Sequence, residues 1–555
     1  MLLLTLAPLL VLVAGGGAYL WWTNRPGTAA AAQRPTDCPA PLQVLVAEEL
    51  QPVVESVLAA ADRAAPTGAA NTAATDPATP RAGCRTALVR STASAQTTLQ
   101  SIGAGRVPEV WVPDSSTWLD DLPGGGDAPT SPDGWAEGLS VATSPVVLVS
   151  PTVGSRTVDT APASWSEPIN VTAQVRLANP DTDTAGRLAY FASRVSRPEA
   201  LDLAVASKLI VASRFAAAST QSQFDALAKN YDALPFPASE QAAFAHAAAA
   251  PGTVRAFVPR AGTISLDYPW LVNRALPADR QVLADRAARA LRSDAARRAL
   301  AKAGFRTTDT AVRPRIQGKT MPPYTELPAP TAAQRAGALD QWHVLRKDMR
   351  MLAILDVSGS MRYPAKDTKG KSRAKVTEEA AVTALRILPA GSRIGAWVFS
   401  TDQNGKGVDY RELARVEQLD TPFAGKAWRD HLVAVTRTLP KRLGGDTGLY
   451  DTTAAAYQKM VAEYDPTHVN SVVIMTDGTN DDPGGGLDLP QLLARIRATS
   501  RADRPVRIIT IGMGEADPTA LKAISRATGG TSYTANTPAD IQRVFVQALL
   551  ARTEK

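Results

Sequence analysis

The pattern most suited to chemistry is Asp-x-Ser-x-Ser, which directly follows a short apolar run. Asp356, Ser358 and Ser360 occupy alternate positions after the run 351–355. Such a run predicts a buried strand of a parallel sheet, and ligands of such sheets bind beyond the carboxyl ends of the strands. One carboxylate and two hydroxyls can converge there, and oxygen ligands of low total charge suit Mg²⁺. Taken alone, the pattern also fits a turn whose Asp and Ser cap the next helix.

Two later segments offer more oxygen ligands at predicted strand ends. The glycine-rich loop 444–450 carries Thr447 just before a predicted helix, and the apolar run 472–476 ends at Asp477. Since the carboxyl ends of parallel strands share one edge of a sheet, we expect all three segments to meet there. Three further acids lie beside these loops, and we expect them to be solvated turn residues: Asp446, Asp481 and Asp482.

In this order and spacing, the residues resemble the metal-ion-dependent adhesion site of the von Willebrand factor A domain, over roughly residues 349–551. The resemblance implies a doubly wound, Rossmann-like α/β fold and an Mg²⁺ cofactor, with Mn²⁺ or Ca²⁺ as alternatives. It also implies a coordination position left for a partner's carboxylate. The hydroxyls would bind the metal directly, and the two aspartates directly or through water. The implied metal ligands are Asp356, Ser358, Ser360, Thr447 and Asp477.

Upstream, short apolar runs alternate with helical patterns, which predicts a second α/β domain with a mainly parallel sheet. A charge-patterned stretch, 278–303, predicts one long helix within it. Four segments of this region resemble the type-2 periplasmic solute-binding proteins: 105–118, 141–149, 179–186 and 266–269. The resemblance implies two α/β lobes that close around a small ligand, often an anionic group held by hydroxyls and helix N-termini.

Four residues in those segments are candidate solute ligands, although each also suits a turn or a helix cap: Ser115, Ser116, Asp181 and Thr184. The fold does not by itself imply a transported solute. An anchored solute-binding-like domain followed by an adhesion-type metal domain resembles surface proteins of actinobacteria.

The first 22 residues contain no charged side chain and are long enough to cross a bilayer as a helix. Trp21 and Trp22 end the run, where aromatic rings favour the headgroup region. We expect a membrane anchor, with a cleaved signal peptide as the alternative. If the bulk of the chain is exported, its two cysteines, Cys38 and Cys84, are expected to form one disulfide. In the chain-entropy model, closing such a loop stabilises the fold by about 4 kcal/mol.

These features divide the 555 residues into five segments. A proline-bearing stretch separates the two predicted domains and is interpreted as a linker. The segments are an anchor or signal at 1–22, a linker at 23–36, a solute-binding-like domain at 37–312, a Pro-rich linker at 313–347 and a von Willebrand factor A domain at 348–555.

Composition excludes several functions. Two cysteines rule out a disulfide-dense scaffold or a cysteine-rich metal cluster, and the four histidines argue against a multi-histidine centre. The net charge of +7 is spread along the chain without basic runs or interleaved aromatics, so we expect no nucleic-acid partner. No hydrolase, metalloprotease or phosphate-loop motif is evident, so we expect no enzyme.

The hypothesis favoured by these features is a cell-membrane protein whose bulk is extracellular. Its metal site would capture a carboxylate of a protein or surface polymer, and its first domain would bind a small solute or a partner. The alternative is a solute-binding component of an uptake system.

Overall fold

A computed structural model describes residues 38–535 of the chain except 65–83, 93, 123, 125–127, 155, 172–174, 196–202, 228, 230–232, 308–311, 367 and 369. The expected anchor at 1–22 and the linker at 23–36 lie outside the described residues. Among the helices that are described, none combines the length and the apolar character needed to cross a membrane.

The first half of the chain contains short strands and nine helices within the described ranges. The strands are β1 Leu42–Ala47, β2 Ala87–Thr92, β3 Val110–Val112, β4 Trp135–Ser140, β5 Ser144–Pro151, β6 Phe236–Ser239, β7 Val254–Phe257, β8 Ser265–Leu266, β9 Pro269–Asn273, β10 Arg315–Ile316 and β11 Lys319–Thr320. The helices are α1 Gln51–Arg63, α2 Ala95–Gly103, α3 Thr184–Val195, α4 Leu203–Arg214, α5 Thr220–Leu227, α6 Glu240–Ala249, α7 Ala278–Leu291, α8 Asp294–Lys302 and α9 Ala332–Arg346.

Strands β1 to β9 form two sheets, one in each of two lobes, and β10 and β11 form a separate antiparallel hairpin. The first lobe has the order β2-β1-β3-β9-β4, in which β1 pairs in parallel with β2 and β3. In the second lobe, β5 pairs antiparallel with β6, β7 and β8. The chain passes from the first lobe to the second between β4 and β5, returns between β8 and β9, and reaches the second lobe again at β10, which packs against α6. This two-lobed α/β architecture is the one the sequence predicts. The expectation of a mainly parallel sheet was wrong, because β9 runs antiparallel to β3 and β4 and every pairing of β5 is antiparallel. Apolar runs record the burial of a strand and not its direction.

The disulfide predicted between Cys38 and Cys84 is present, and the Cα atoms of the two residues are 5.5 Å apart. It joins the segment before β1 to the segment before β2. Because β1 and β2 pair in parallel along Leu42–Ala47, the bridge holds the two strands together at their amino ends.

The stretch 278–303, predicted as one helix, is two helices, α7 and α8. The chain leaves the helical conformation at Ser293, whose hydroxyl accepts a hydrogen bond of 3.1 Å from the amide of Ala296. A serine hydroxyl in this position satisfies an otherwise unbonded amide and starts a new helix. The apolar periodicity continues across the break, so it did not reveal the cap.

The segment interpreted as a linker contains a helix, α9, that packs on the first domain. Its Trp342 is fully buried and its ring lies 5.2 Å from that of Tyr190 on α3. The indole Nε1 of Trp342 donates to the side-chain oxygen of Asn179 over 3.1 Å. Prolines at 322, 323, 328 and 330 precede α9 but do not interrupt it, so the composition of the segment concealed the helix.

The second half forms one sheet with helices on both faces. Its strands are β12 Met349–Asp356, β13 Arg393–Phe399, β14 Tyr410–Gln418, β15 Pro422–Phe423, β16 Lys426–Ala427, β17 Val469–Thr476, β18 Val506–Gly512 and β19 Ser532–Thr534. Its helices are α10 Arg373–Ile387, α11 Trp428–Thr436, α12 Leu449–Ala462, α13 Leu489–Thr499 and α14 Pro518–Arg526.

The main sheet has the order β14-β13-β12-β17-β18-β19, and only the pairing of β13 with β14 is antiparallel. Separate apolar cores fill its two faces, since alternate residues of each central strand point to opposite sides. After β12 the chain moves to β13 on one side and later returns to β17 on the other. The doubly wound fold is therefore confirmed, with its topological switch between β12 and β17.

Candidate functional site

The Asp-x-Ser-x-Ser residues lie at the topological switch of the second sheet. Asp356 ends β12, and Asp477 follows the neighbouring strand β17. Asp356, Ser358 and Asp477 are each at most 1% exposed, and Ser360 is half-buried. The crevice beyond a switch point is where open α/β sheets bind ligands.

Side-chain hydrogen bonds join these residues into one cluster. The Oγ atoms of Ser358 and Ser360 are 3.0 Å apart, and the Ser360 hydroxyl donates to Asp477 Oδ1 over 2.8 Å. Asp356 Oδ1 accepts from the amide of Ser358 over 2.8 Å, while its Oδ2 accepts from the hydroxyl of Thr476 over 2.6 Å. The cluster thus presents two carboxylates and two serine hydroxyls at one place.

Thr447 reaches the same place from the glycine-rich loop. A Cβ atom on Gly478 would lie 3.2 Å from Thr447 Oγ1 and 3.9 Å from Ser360 Oγ, so both hydroxyls flank the same glycine. The loop is fastened by backbone bonds between Thr447 and Asp481 and by the amide of Gly359, which donates to the carbonyl of Gly445 over 2.9 Å. The structure therefore brings together all five residues predicted as metal ligands.

Burial governs the charge of the innermost acid. It raises the pKa of Asp356 to about 6, and the negative charge of Asp477 adds to the rise, against hydrogen bonds from Ser358 and Thr476 that lower the pKa. Two carboxylates in a buried cluster repel each other, and a positive charge between them would relieve that repulsion.

The sequence did not indicate that Arg373 belongs to this cluster. Arg373 begins α10, and its Nη1 donates to Asp477 Oδ2 over 2.7 Å, forming an ion pair in which Asp477 is fully buried. Its backbone is held by Tyr363, whose carbonyl accepts a hydrogen bond of 2.9 Å from the amide of Arg373. Thr476 was also missed, although it directly precedes Asp477 on β17.

A second group of acids lies behind the Thr447 loop. Carboxylate oxygens of Asp409, Asp451 and Asp482 lie within 4.8 Å of one another. Burial raises the pKa of Asp409, and the charges of Asp482 and Asp451 raise it further. Of the three acids expected to be solvated, Asp482 therefore belongs to a cluster, and Asp481 bonds Thr447 through its backbone.

The donor chemistry of the main cluster fits a hard divalent cation. Its side chains offer only hydroxyl and carboxylate oxygens, which Mg²⁺, Mn²⁺ and Ca²⁺ accept as ligands. The open side beside Gly478 is the position that a side chain would otherwise fill.

The first domain contains a cavity of about 660 Å³ between its lobes. The first lobe contributes Glu48, Glu49 and Asp114, from the segments that follow β1 and β3. The second lobe contributes the first residues of α3 and α5 and one face of α6. A cavity of this size suits a small organic ligand.

Of the four residues predicted as solute ligands, only Thr184 lines this cavity. Ser115 caps a short helical turn by accepting from the amide of Thr117, and the amide of Ser116 donates to Asp267 over 2.8 Å. Asp181 lies 2.7 Å from Nε2 of His343 and 3.4 Å from Nη1 of Arg346, both on α9. These three residues therefore hold the fold together rather than face the cavity.

The acids of the cavity were missed because they carry no motif. Glu49 accepts a hydrogen bond of 2.7 Å from the hydroxyl of Tyr268, and Asp114 accepts one of 3.0 Å from Nε1 of Trp118. Burial and then the charge of Glu49 raise the pKa of Asp114 to about 7, and burial raises the pKa of Glu49. Strands β1 and β3 are neighbours in the sheet, so their carboxyl ends bring the two acids together.

Comparisons with known proteins agree with this division. Residues 42–306 match the family model "Bacterial extracellular solute-binding protein", and residues 351–547 match "von Willebrand factor type A domain". Among solved structures, a periplasmic thiamin binding protein is 12% identical with a TM-score of 0.40. The match covers 56% of this chain and 98% of that protein. A von Willebrand factor type A protein from Catenulispora acidiphila is 18% identical with a TM-score of 0.27, and the match covers 37% of this chain and 43% of that protein.

Curated relatives include uncharacterized proteins of two Mycobacterium tuberculosis strains. Each is 27% identical over 298 residues, which is 52% of this chain and 41% of the relative. The match thus spans about two fifths of those longer proteins. The chain combines a solute-binding domain at residues 42–306 with a von Willebrand factor type A domain at residues 351–547.

Proposed function

We propose that this chain is a surface binding protein that captures a carboxylate of a protein or polymer through a divalent metal. Mg²⁺ is the metal we propose, with Mn²⁺ or Ca²⁺ as alternatives. The metal would be held by Asp356, Ser358, Ser360, Thr447 and Asp477. The convergence of these five side chains beside Gly478 is the observation that supports the proposal. The bound ion would supply a positive charge that attracts an acidic group.

The charges around the cluster favour an acidic partner. Asp356 and Asp477 carry the negative charges of the proposed ligand set, and Arg373 offsets that of Asp477. A divalent ion among these groups leaves an excess of positive charge, which a carboxylate from outside can neutralise. The hydroxyl ligands are neutral, so they add no negative charge to the site.

We place the protein at the cell surface, tethered to the membrane through residues 1–22. Two observations support export: the disulfide between Cys38 and Cys84, since disulfides persist in oxidising compartments, and the match of residues 42–306 to an extracellular family. A binding role, without catalysis, agrees with both domain types.

Metal binding is tested with an Asp356→Ala variant of the full chain. Because this change removes a carboxylate from the proposed ligand set, we expect calorimetric Mg²⁺ binding to be lost and Mg²⁺-dependent capture of surface partners to fall to the level seen in chelator. Asp446→Asn is the matched control, since Asp446 is exposed on the same loop as Thr447. Unchanged Mg²⁺ binding by the Asp356→Ala variant, or equal partner capture in chelator, contradicts the proposal.

A second candidate function is solute binding by the first domain, as in an uptake system. The cavity between the two lobes supports it. A rise in the melting temperature of the full chain with a small solute would support this function. The absence of any rise across cations, anions and neutral sugars would contradict it.

A further inference from the structure

The cavity between the lobes has an unbalanced charge. Of the described residues that line it, four are acids and none is a lysine or arginine: the acids are Glu48, Glu49, Asp114 and Asp183. His246 is the remaining titratable residue of the lining, and burial lowers its pKa, which favours the neutral ring. The buried Arg187 nearby lies 4.0 Å over the ring of Trp118 and pairs with Asp121, so its charge is engaged outside the cavity.

The helix N-termini at this cavity, which in the resembling family often hold an anion, are already occupied by the protein's own acceptors. Asp183 accepts from the amide of Gly186 on α3 over 2.8 Å and from the amide of Thr220 on α5 over 2.6 Å. At α6, Ser239 accepts from the amide of Ala242 and Ser144 from that of Gln241, both over 3.0 Å. An anionic ligand would therefore meet carboxylates and few unbonded amides.

Two of the acids are free to serve a ligand. Asp183 is saturated by the two helix N-termini, and Glu48 is exposed at the rim. Glu49 and Asp114, in contrast, accept hydrogen bonds from the neutral side chains of Tyr268 and Trp118, neither forms an ion pair with another described residue, and the charge of Glu49 raises the pKa of Asp114. Two carboxylates that repel each other in a partly enclosed cavity are stabilised by an incoming positive charge.

The wall of the cavity that the second lobe forms carries a pair of aromatic rings. Phe224 and His246 both line the cavity, and their rings stack with centroids 4.5 Å apart. Aromatic faces attract cationic groups, including ammonium ions that are too bulky for a metal site. This feature is independent of the acids and lies on the other lobe, on α5 and α6.

We propose that the cavity binds a small organic cation, an amine or quaternary ammonium compound, with Glu49 and Asp114 as its counter-charges and the Phe224–His246 pair as an aromatic wall. This proposal rests on the second candidate function, solute binding by the first domain. The volume of about 660 Å³ favours an organic molecule over a bare metal ion, which needs no more space than its first ligand shell.

The test is a melting and calorimetry panel on the full chain. The probes are putrescine, choline and spermidine as organic cations, succinate and phosphate as anions, glucose as a neutral solute, and Ca²⁺ as a metal. All arms use an Asp356→Ala background, so that the proposed metal site of the second domain does not contribute. We expect an organic cation to raise the melting temperature, and its affinity to fall at least tenfold in a Glu49→Gln, Asp114→Asn double variant.

The matched control is Glu137→Gln, which removes an exposed carboxylate of the same lobe outside the cavity and should leave cation binding unchanged. Should the double variant fail to fold, the unaltered cavity still provides a test, because affinity for the cation must fall between 0.05 and 0.5 M salt as charges are screened. If only anions, glucose or Ca²⁺ bind, the proposal of an organic cation is overturned, but the first domain still binds a solute or an ion. No binding by any probe overturns the cation proposal and the second candidate function together.

Discussion

At the scale of single residues, Arg373 sets the charge of the proposed metal site. Asp477 carries a negative charge in a buried position, and the guanidinium of Arg373 is its partner over 2.7 Å. A buried ion pair of this kind does not by itself stabilise a fold strongly, but removal of one partner leaves an uncompensated charge. We interpret Arg373 as a positioning residue that both orients Asp477 and limits the negative charge of the cluster.

An Arg373→Gln variant tests this role. Without the guanidinium, we expect the metal-free second domain to lose about 3–5 kcal/mol of stability, because the buried carboxylate of Asp477 loses its ion-pair partner. We also expect Mg²⁺ to bind on the order of tenfold more tightly, since a nearby positive charge has been removed. Thermal melting in chelator and Mg²⁺ calorimetry measure the two effects.

Arg362→Gln is the control for that experiment. Arg362 is an exposed guanidinium beside the same loops, but it donates to the carbonyl of Leu443 and not to a carboxylate. It should therefore leave Mg²⁺ affinity nearly unchanged. An Arg373→Gln variant with the stability and the Mg²⁺ affinity of the unaltered chain would disprove the positioning role.

At the scale of elements, the carboxyl ends of strands position the site residues, and helix α9 packs on the first domain. Helix α9 begins with a capping box between Thr331 and Gln334, and it lies against α3 and α4. Trp342 is its deepest residue, and His343 and Arg346 on the same helix engage Asp181. The helix therefore has a role in the stability of the first domain that a flexible connection would not have.

A Trp342→Ala variant tests whether α9 is part of that domain. Loss of a fully buried tryptophan and of its hydrogen bond to Asn179 should cost about 3–5 kcal/mol. We expect the melting transition of the first domain to fall while that of the second domain stays in place. An Asp340→Ala change on the exposed side of α9 is the control. An unchanged first transition would show that α9 acts only as a connector.

At the scale of the whole molecule, the two domains have opposite charge preferences. The cavity of the first domain is lined by acids, whereas the cluster of the second would favour an acid if it held the proposed divalent ion. The net charge of +7 reflects neither, because surface residues dominate the sum. The domains also differ in covalent reinforcement, since both cysteines belong to the first.

A Cys38→Ser, Cys84→Ser variant tests that reinforcement. In the chain-entropy model the loss of this bridge costs about 4 kcal/mol, which corresponds to a fall on the order of 10 °C in the melting temperature of a domain of this size. We expect the fall only in the first transition of a calorimetric scan. A reducing agent should reproduce it in the unaltered chain. A similar fall in both transitions, or in neither, would contradict a local effect of the disulfide.

Much of the fold was predictable because apolar runs and the five-residue order of the cluster are local signals. The strands before Asp356 and Asp477 and the alternation of strands with helices appear where they were expected. Two elements differ from the prediction: the helical stretch 278–303 is divided at Ser293, and the expected linker contains α9. Both differences depend on hydrogen bonds or burial that composition does not record.

What the sequence determined by itself was the two-domain α/β organisation, the pairing of the only two cysteines and the identity of the clustered oxygens. The first two follow from periodicity and from counting, and the third follows from residues beside predicted strand ends together with the resemblance of their order to a known family. Only the tertiary structure decided that Arg373 joins Asp477 and that Glu49 and Asp114 face one cavity. Those contacts join residues far apart in the chain, and the charge of a site depends on which side chains meet there, not on their order in the sequence.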